Sequence, residues 1–415
     1  MPKDQEFTYI NSSSILFVDL LPVIKREYKL SNYKLKTVSK NFLGEKETKD
    51  PLSVKGIFEC YKIGIQQNVS GEFSRKSQIA MGIVGKYAVQ DSVLVVKLFE
   101  KLQLWVGFTE MARTCIVPII TLYTQGQQIK VYSQIYKYCF ENNIVVEQNA
   151  YISDDPEERY LGAHVFDPIV GKHENVVPFD FKSLYPSTII AYNIDYFTWV
   201  KDDAGISDNL CNVMVWEDHQ GCVHDTRLIA YNQISEYITT EQALIKNLRV
   251  LRDKNKKDEV EHARLATEIK DRVNKLREKL KQRCEIKKSI PQHKMCKKRK
   301  FRFLKEPLGV VPSVIQSLLD AREHTRKVDI KEQRVKLKAT TNQSEIDEIN
   351  SLMTVLEKRQ LAYKVSANSM YGAMGVKKGF LPFIPGAMCT TYMGRVNIEK
   401  VSKIIPERYG GELIY

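Results

Sequence analysis

Three short stretches and one scattered cluster hold residue types that could do chemistry. The first is Val176-Val177-Pro178-Phe179-Asp180-Phe181-Lys182-Ser183-Leu184-Tyr185-Pro186-Ser187, an apolar run that ends in a carboxylate and passes into a turn and an apolar, helix-like stretch at 188–192. A carboxylate at a strand end can hold a hard cation such as Mg²⁺, which takes oxygen ligands. The turn after it offers successive backbone N–H groups to a phosphate. Taken alone, such an Asp can equally be a helix cap or a turn former. The second stretch is Lys364-Val365-Ser366-Ala367-Asn368-Ser369-Met370-Tyr371-Gly372. In a helix, Lys364, Asn368 and Tyr371 share one face; a cation, an amide and a ring on one stripe suit a nucleoside triphosphate. Third, Arg322 and Arg326 stand one helical turn apart, a pair that is ordinary surface unless it meets an anion.

The cluster is His219, Cys222 and His224, followed much later by His293 and Cys296. Both groups have short, ligand-like spacings, and they bracket a strongly basic segment, so a zinc clasp at its base is one reading. Unliganded polar residues are the other, because the mixed order matches no standard finger.

Elements must position these groups. The 415 residues allow roughly two to four domains. With 43% apolar and 27% charged residues, a packed core is expected rather than disorder. The formal charge is +13, and residues 241–300, with 21 Lys/Arg against 9 Asp/Glu, hold nearly all of it. That bias fits a polyanionic partner or a solvated basic face. No apolar run approaches the roughly 18–20 residues of a membrane span, and residues 1–14 lack the apolar core of a signal peptide. Eight scattered cysteines without a CxxC argue against a secreted disulfide framework and fit a reducing compartment. No GxxxxGK[ST] loop is present, so an ATPase or helicase reading lacks its phosphate motif.

Residues 1–110 read as alternating strand-like and helix-like pieces, with helical spacing at 93–106. A helix near 128–141 precedes strand-like runs at 143–147, 163–166 and 176–181, with an acidic turn at 153–159 as a boundary. Segment 238–283 predicts two antiparallel helices, one with a face of Leu244, Leu248 and Leu251. The other has a heptad seam of Ala266, Ile269, Val273, Leu276 and Leu280. Segments 311–334 and 345–372 predict a second antiparallel pair.

The chemical stretches resemble, in order, family B DNA polymerases. DFKSLYPS (180–187) resembles the family's DxxSLYPS palm segment, and KVSANSMYG (364–372) its KxxxNSxYG fingers segment. YLGA (160–163) resembles the YxGG/A segment between exonuclease and polymerase domains. Residues 308–327 look like the first fingers helix, and TTYMGR (390–395) like the Thr-x-x-Gly-Arg helix after the fingers. The surrounding wording is most similar to polymerases of large nucleocytoplasmic DNA viruses. The resemblance covers nearly the whole chain except 225–290.

What it implies is an α+β multidomain chain: residues 1–110 as the end of an RNase H-like 3′→5′ exonuclease domain, 111–159 as a linker and 160–224 as the start of a right-hand palm. A basic helical-hairpin insertion would follow at 225–300, antiparallel helical fingers at 301–373 and a second piece of palm at 374–415. The implied activity is DNA-directed DNA synthesis in viral replication, inside the host cell, on primer–template DNA and dNTPs, with a processivity factor as a further partner and no membrane. Asp180 and the Phe181 carbonyl would hold metal in a two-Mg²⁺ site, with ions about 3.5–4 Å apart. Ser183, Leu184 and Tyr185 would meet the triphosphate, and Tyr185 would also exclude a 2′-hydroxyl. Arg322, Lys364 and Asn368 would contact the nucleotide, with Tyr371 at the nascent pair. Tyr87 and Asp91 fit the exonuclease YxxxD motif; Asp4-x-Glu6 has the letters of the earlier exonuclease motif but lies too near it. The family's second palm carboxylate belongs to a YGDTDS hairpin, whose first Tyr Tyr415 resembles. The expectation is therefore a fragment, inactive alone. A non-catalytic DNA-binding relic or accessory subunit is the alternative, and a coiled-coil interaction protein explains only 238–283.

Overall fold

The structure, a computed structural model, describes residues 12, 14–44, 52–67, 71–146, 160–201, 204–290, 294–377 and 379–414. Asp4, Glu6, His293 and Tyr415 lie outside them. The chain divides into two compact units, one made of 1–198 and 307–415, the other of 199–306.

The larger unit is helical. Its N-terminal part holds α1 (Leu20–Glu27), α2 (Leu35–Leu43), α3 (Val54–Gly64), α4 (Arg75–Lys101), α5 (Leu104–Cys115), α6 (Ile119–Thr124) and α7 (Gln127–Glu141). Side-chain caps start several of them: Asp19 accepts from Leu21 N, Ser53 from Gly56 N and Ser74 from Ser77 N. Val23, Ile24, Val38, Leu98, Leu104, Phe108 and Leu122 form one core across α1, α2, α4, α5 and α6. That core crosses residue 110, where the sequence suggested a boundary.

The strand-like pieces expected in 1–110 do not form strands; a single bridge, Gln67 with Phe73, is present there among the described residues. The runs 163–166 and 176–181 are extended but unladdered, and 144–146 is irregular. A strand exists through its neighbour's hydrogen bonds. Here one backbone bond, Ile169 N to Ile414 O at 2.9 Å, joins extended segments, and Val176, Val177 and Phe179 stay exposed.

The remaining helices are α8 (Leu184–Ala191), α11 (Val310–His324), α12 (Ile330–Ala339), α13 (Gln343–Met374) and α14 (Ile384–Tyr409). Helices α11 and α12 are joined by a π-helical turn, Thr325–Asp329, so 310–339 is continuous. Ile189, Ile194, Ile315, Met370, Phe383 and Met388 are fully buried here. Helix α13 is fastened to the N-terminal helices: Arg359 Nε donates to Glu110 Oε2 at 2.7 Å, Lys358 Nζ to Leu102 O at 2.9 Å, and Ser366 Oγ to Gln134 Oε1 at 2.6 Å.

Helix α11 starts at Gly309, which has no side chain to cap with; Asp195, distant in sequence, does so instead. Val311 N donates to Asp195 Oδ2 at 2.8 Å, and Gly309 N to Asn193 Oδ1 at 2.8 Å. A Cβ on Gly309 would strike the Asp195 carboxylate. Burial pushes the Asp195 carboxyl up to about 6, against the pull of the surrounding N–H groups. Unfolded, an Asp titrates near 3.9, so the native state binds the proton more tightly. This contribution to stability is complete below about pH 4 and is lost as pH rises through about 6, by up to about 3 kcal/mol. Asp195→Asn keeps an acceptor and should flatten this slope in denaturant unfolding measured from pH 4 to 7; an unchanged slope would contradict the assignment.

The smaller unit is a three-stranded antiparallel sheet of order β1–β3–β2, from β1 (Trp199–Val200), β2 (Cys211–Gln220) and β3 (Met295–Leu304). Between β2 and β3 run α9 (Thr226–Lys254) and α10 (Glu259–Ser289). The helices pack through Ile238, Glu241 and Ile245 against Leu265 and Ile269. Leu244 and Leu251, expected at the seam, are exposed. Glu241 occupies a seam position because Arg272 Nη1 donates to it at 2.7 Å, a pairing that hydrophobic periodicity does not register. Part of the basic excess is likewise neutralised internally: Arg299 pairs with Asp218 at 3.2 Å, both buried, and Arg302 and Lys300 pair with Asp208 at 3.2 and 3.0 Å.

Among the described residues one helix, α4, is long and apolar enough to cross a membrane by length and composition, with mean hydropathy 1.4 over its best window. Ala80, Leu94 and Leu98 are buried on it, while Ile79, Val89 and Val96 are exposed.

Candidate nucleotide-binding site

The turn after Asp180 is built by Ser183. Its backbone is left-handed, φ 53° and ψ 57°, which reverses the chain so that α8 begins at the next residue. Ser187 Oγ donates to Lys182 O at 3.0 Å and Thr188 Oγ1 to Leu184 O at 2.8 Å, which fastens the turn to the first turn of α8. Asp180 and Phe181 are exposed on the approach to it.

Four of the sequence stretches meet beside this turn. Tyr185 and Tyr371 pack ring to ring, centroids 4.5 Å apart. Tyr371 is hydrogen-bonded to Tyr160 of YLGA. Arg395 of TTYMGR donates from Nη1 to the carbonyls of Leu161 and Gly162, each at 2.8 Å. Gly394 lies under Tyr185, where a Cβ would come within 3.2 Å of the ring. Burial, then the neighbouring phenol, raises the pKa of both Tyr185 and Tyr371, so both stay neutral at physiological pH.

On the other side of the turn lies an open cleft of about 650 Å³ between α8, α11–α12 and α13. Ser183 and the cations Lys182, Arg322, Arg326, Lys327 and Arg334 line it, the cations outnumbering the carboxylates of Asp320, Glu323 and Glu357. Arg322 Nε donates to the neutral amide of Gln360 at 3.3 Å, which aims the guanidinium without neutralising it. Desolvation first, and Arg326 second, hold the pKa of Arg322 below the usual guanidinium range. Glu323 bridges Lys327 and Lys182, the latter at 3.3 Å, and those two ammonium groups lower its pKa. Arg326 and Lys327 stand on the π-helical turn, a distortion that is frequent at functional sites.

Lys364 and Asn368 are exposed on α13, one and two turns beyond Gln360, with Tyr371 further along the same face. The sequence-identified residues thus fall into two connected groups, Tyr185 with Tyr371 and Ser183 with Arg322, and α13 joins them. Sequence reasoning assigned no role to Gln360, Glu323, Lys182, Tyr160 and Arg395. For Tyr160 and Arg395 the signal was present in YLGA and TTYMGR; for the other three nothing in local spacing marked them. Tyr87 and Asp91 are one turn apart on α4, without a strand carboxylate beside them among the described residues. Among those residues, no group of three metal-ligating side chains includes Asp180; the one such group is His219, Cys222, His224 and Cys296.

An α+β chain with a cationic cleft abutting a half-buried tyrosine cluster suits an anionic, ring-bearing ligand. The sequence pattern of DNA polymerase family B matches residues 117–413. Relatives matched over nearly all of this chain include DNA polymerase 120R of Invertebrate iridescent virus 3, 47% identical over all of this chain and 33% of that protein. DNA polymerase 037L of Invertebrate iridescent virus 6 is 36% identical over 99% of this chain and 42% of its own length. The DNA polymerase delta catalytic subunit of Candida albicans is 29% identical over 98% of this chain and 29% of its length. The chain belongs to DNA polymerase family B. It spans about a third to two fifths of the length of the viral relatives.

Proposed function

We propose that this chain is part of a viral DNA-directed DNA polymerase and supplies the nucleotide-binding half of its active site. The observation that carries the reading is the convergence of Tyr160, Tyr185, Tyr371 and Arg395, from four separated stretches, beside the cleft of Arg322 and Lys182. In this reading 160–198 and 374–415 are palm, 307–373 are fingers, the helices up to α7 end an exonuclease-like domain and pack on to the fingers, and the unit 199–306 is an insertion. The rest of the longer protein completes the palm beside the exposed run 176–181.

The triphosphate lies over the turn at Ser183, where the backbone N–H groups of Ser183, Leu184 and Tyr185 and the Ser183 hydroxyl receive it. Arg322 and Lys364 neutralise its charge, and Asn368 donates from the same α13 face. Tyr371 holds Tyr185 upright beneath the sugar. The donors at Asp180 and the Phe181 carbonyl are hard oxygens that fit Mg²⁺. Two donors are fewer than an octahedron needs, so phosphate oxygens, water and further carboxylates would have to supply the rest. Bound there, the metal ions would stabilise charge on the attacking and leaving oxygens. The residues of this chain orient the nucleotide for attack by the primer 3′-oxygen on its α-phosphate. Proofreading at Asp91 and Tyr87 belongs to the same proposal and needs carboxylates outside the described residues.

Tyr185 provides the test. Its ring packs on Tyr371 and over Gly394, so a 2′-hydroxyl would meet a ring backed by its neighbours. Tyr185→Ala in the complete polymerase should raise ribonucleotide incorporation relative to deoxyribonucleotide, read as the ratio of kcat/KM values. Equal discrimination by variant and parent would remove Tyr185 from this role. A non-catalytic DNA-binding relic predicts no nucleotide incorporation by either.

A further inference from the structure

We propose that His219, Cys222, His224 and Cys296 form a closed, four-ligand zinc site that staples the base of the α9–α10 helical pair. The residues come from two places in the chain that the sheet brings together. His219 on β2 pairs in register with Cys296 on β3. Gly221, with φ 57°, then turns the chain so that Cys222 and His224 fold back toward the same point before α9 begins.

The four ligand atoms are close enough to share one ion. His219 Nδ1 lies 3.6 Å from Cys222 Sγ and 3.5 Å from Cys296 Sγ, and His224 Nδ1 lies 3.6 Å from Cys296 Sγ. All four ligand atoms lie within 4.8 Å of one another. With Zn–S near 2.3 Å and Zn–N near 2.0 Å, the edges of a tetrahedral zinc site are roughly 3.3–3.8 Å. Three of the edges already have that length.

The surroundings fix the ligands. His219 Nε2 lies 3.3 Å from Glu217 Oε2. Donation of that N–H to the carboxylate selects the tautomer that leaves Nδ1 as a lone pair facing the sulfurs, the usual outer partner of a zinc-bound histidine. The turn holding Cys222 and His224 is clamped by the buried Asp225, which accepts from Gly221 N at 2.7 Å and Arg227 N at 2.9 Å. Arg227 also grips Asp225 through Nε at 3.0 Å and Nη2 at 2.9 Å. Its Nη1 donates to Ser289 O at 3.0 Å, which ties the start of α9 to the end of α10.

The donor set selects the ion. Two thiolates and two imidazoles suit borderline-soft Zn²⁺ and not Mg²⁺, and four protein ligands leave no open position, so the site is structural rather than catalytic. Binding releases the two thiol protons to the solvent and leaves the complex neutral. His224 and Cys296 are 72 positions apart in the chain, so the metal closes a long loop whose freedom the unfolded chain otherwise keeps. His293 is not needed to complete the set.

Plasma emission analysis of residues 1–415, purified with a thiol reductant and no chelator, should find one zinc per chain. Cys296→Ser and His219→Ala should each lose it, and Cys284→Ser, the exposed cysteine on α10, should keep it. Should a variant fail to fold, the parent chain decides: stripped by chelator and titrated with Co²⁺ alone, it should develop tetrahedral d–d bands and a thiolate charge-transfer band at one equivalent. Zinc well below one per chain together with no such spectrum would overturn the proposal, as would a Cys222–Cys296 disulfide that persists in reductant.

Discussion

Asp180→Asn in the complete polymerase is expected to lower nucleotide incorporation by about 10³-fold or more. A metal held at a transferring phosphoryl group supplies several kcal/mol of charge stabilisation, and each 1.36 kcal/mol is tenfold in rate. The substitution keeps size and shape, and Asp180 is exposed in an extended stretch, so the fold has little to lose. Thermal unfolding and primer–template affinity should therefore stay close to the parent while single-turnover extension collapses. Retained extension would leave Asp180 as a helix cap or a turn former.

Arg322→Ala and Lys364→Ala should act on the nucleotide and not on the DNA. A hydrogen bond to a charged group contributes about 1.5–3 kcal/mol, so each change should raise the apparent KM for dNTP roughly 10- to 100-fold. Arg322 carries the stronger expectation, because it lies in the cleft with its guanidinium fastened by a neutral Gln360. Arg322→Lys should recover only part of the loss, since an ammonium lacks the planar fork that meets phosphate oxygens in pairs. A variant whose defect lay wholly in primer–template affinity would show that its side chain touches nucleic-acid backbone.

The helices around this cleft were readable because their signals are local. Apolar spacing gave α7 and the two long helices at 310–339 and 343–374 nearly to their ends. The π-helical turn inside the first was invisible, since one shifted hydrogen bond leaves no mark on composition. Strands failed for the opposite reason. The runs 163–166 and 176–181 have strand-like residues but no ladder partner among the described residues. Meanwhile β3, Met295–Leu304, reads as a charge run because Arg299 and Arg302 are buried against Asp218 and Asp208. The α9 seam was misplaced by one helical position because Glu241 is held there by Arg272. In the site, Tyr185 and Tyr371, which the structure brings ring to ring, were legible from motif spacing. The contact of Gln360 with Arg322 and that of Glu323 with Lys182 were not, because they join segments far apart in sequence. In the cysteine–histidine cluster four of the five suspected residues converge, which only the β2–β3 register could decide.

The most direct test of the central claim is single-nucleotide primer extension by the complete polymerase, with each of the four dNTPs offered separately against each templating base. Addition of the complementary nucleotide alone is expected, by the parent and not by Asp180→Asn. Extension that ignores the template, or DNA binding with no extension by the parent, would contradict it.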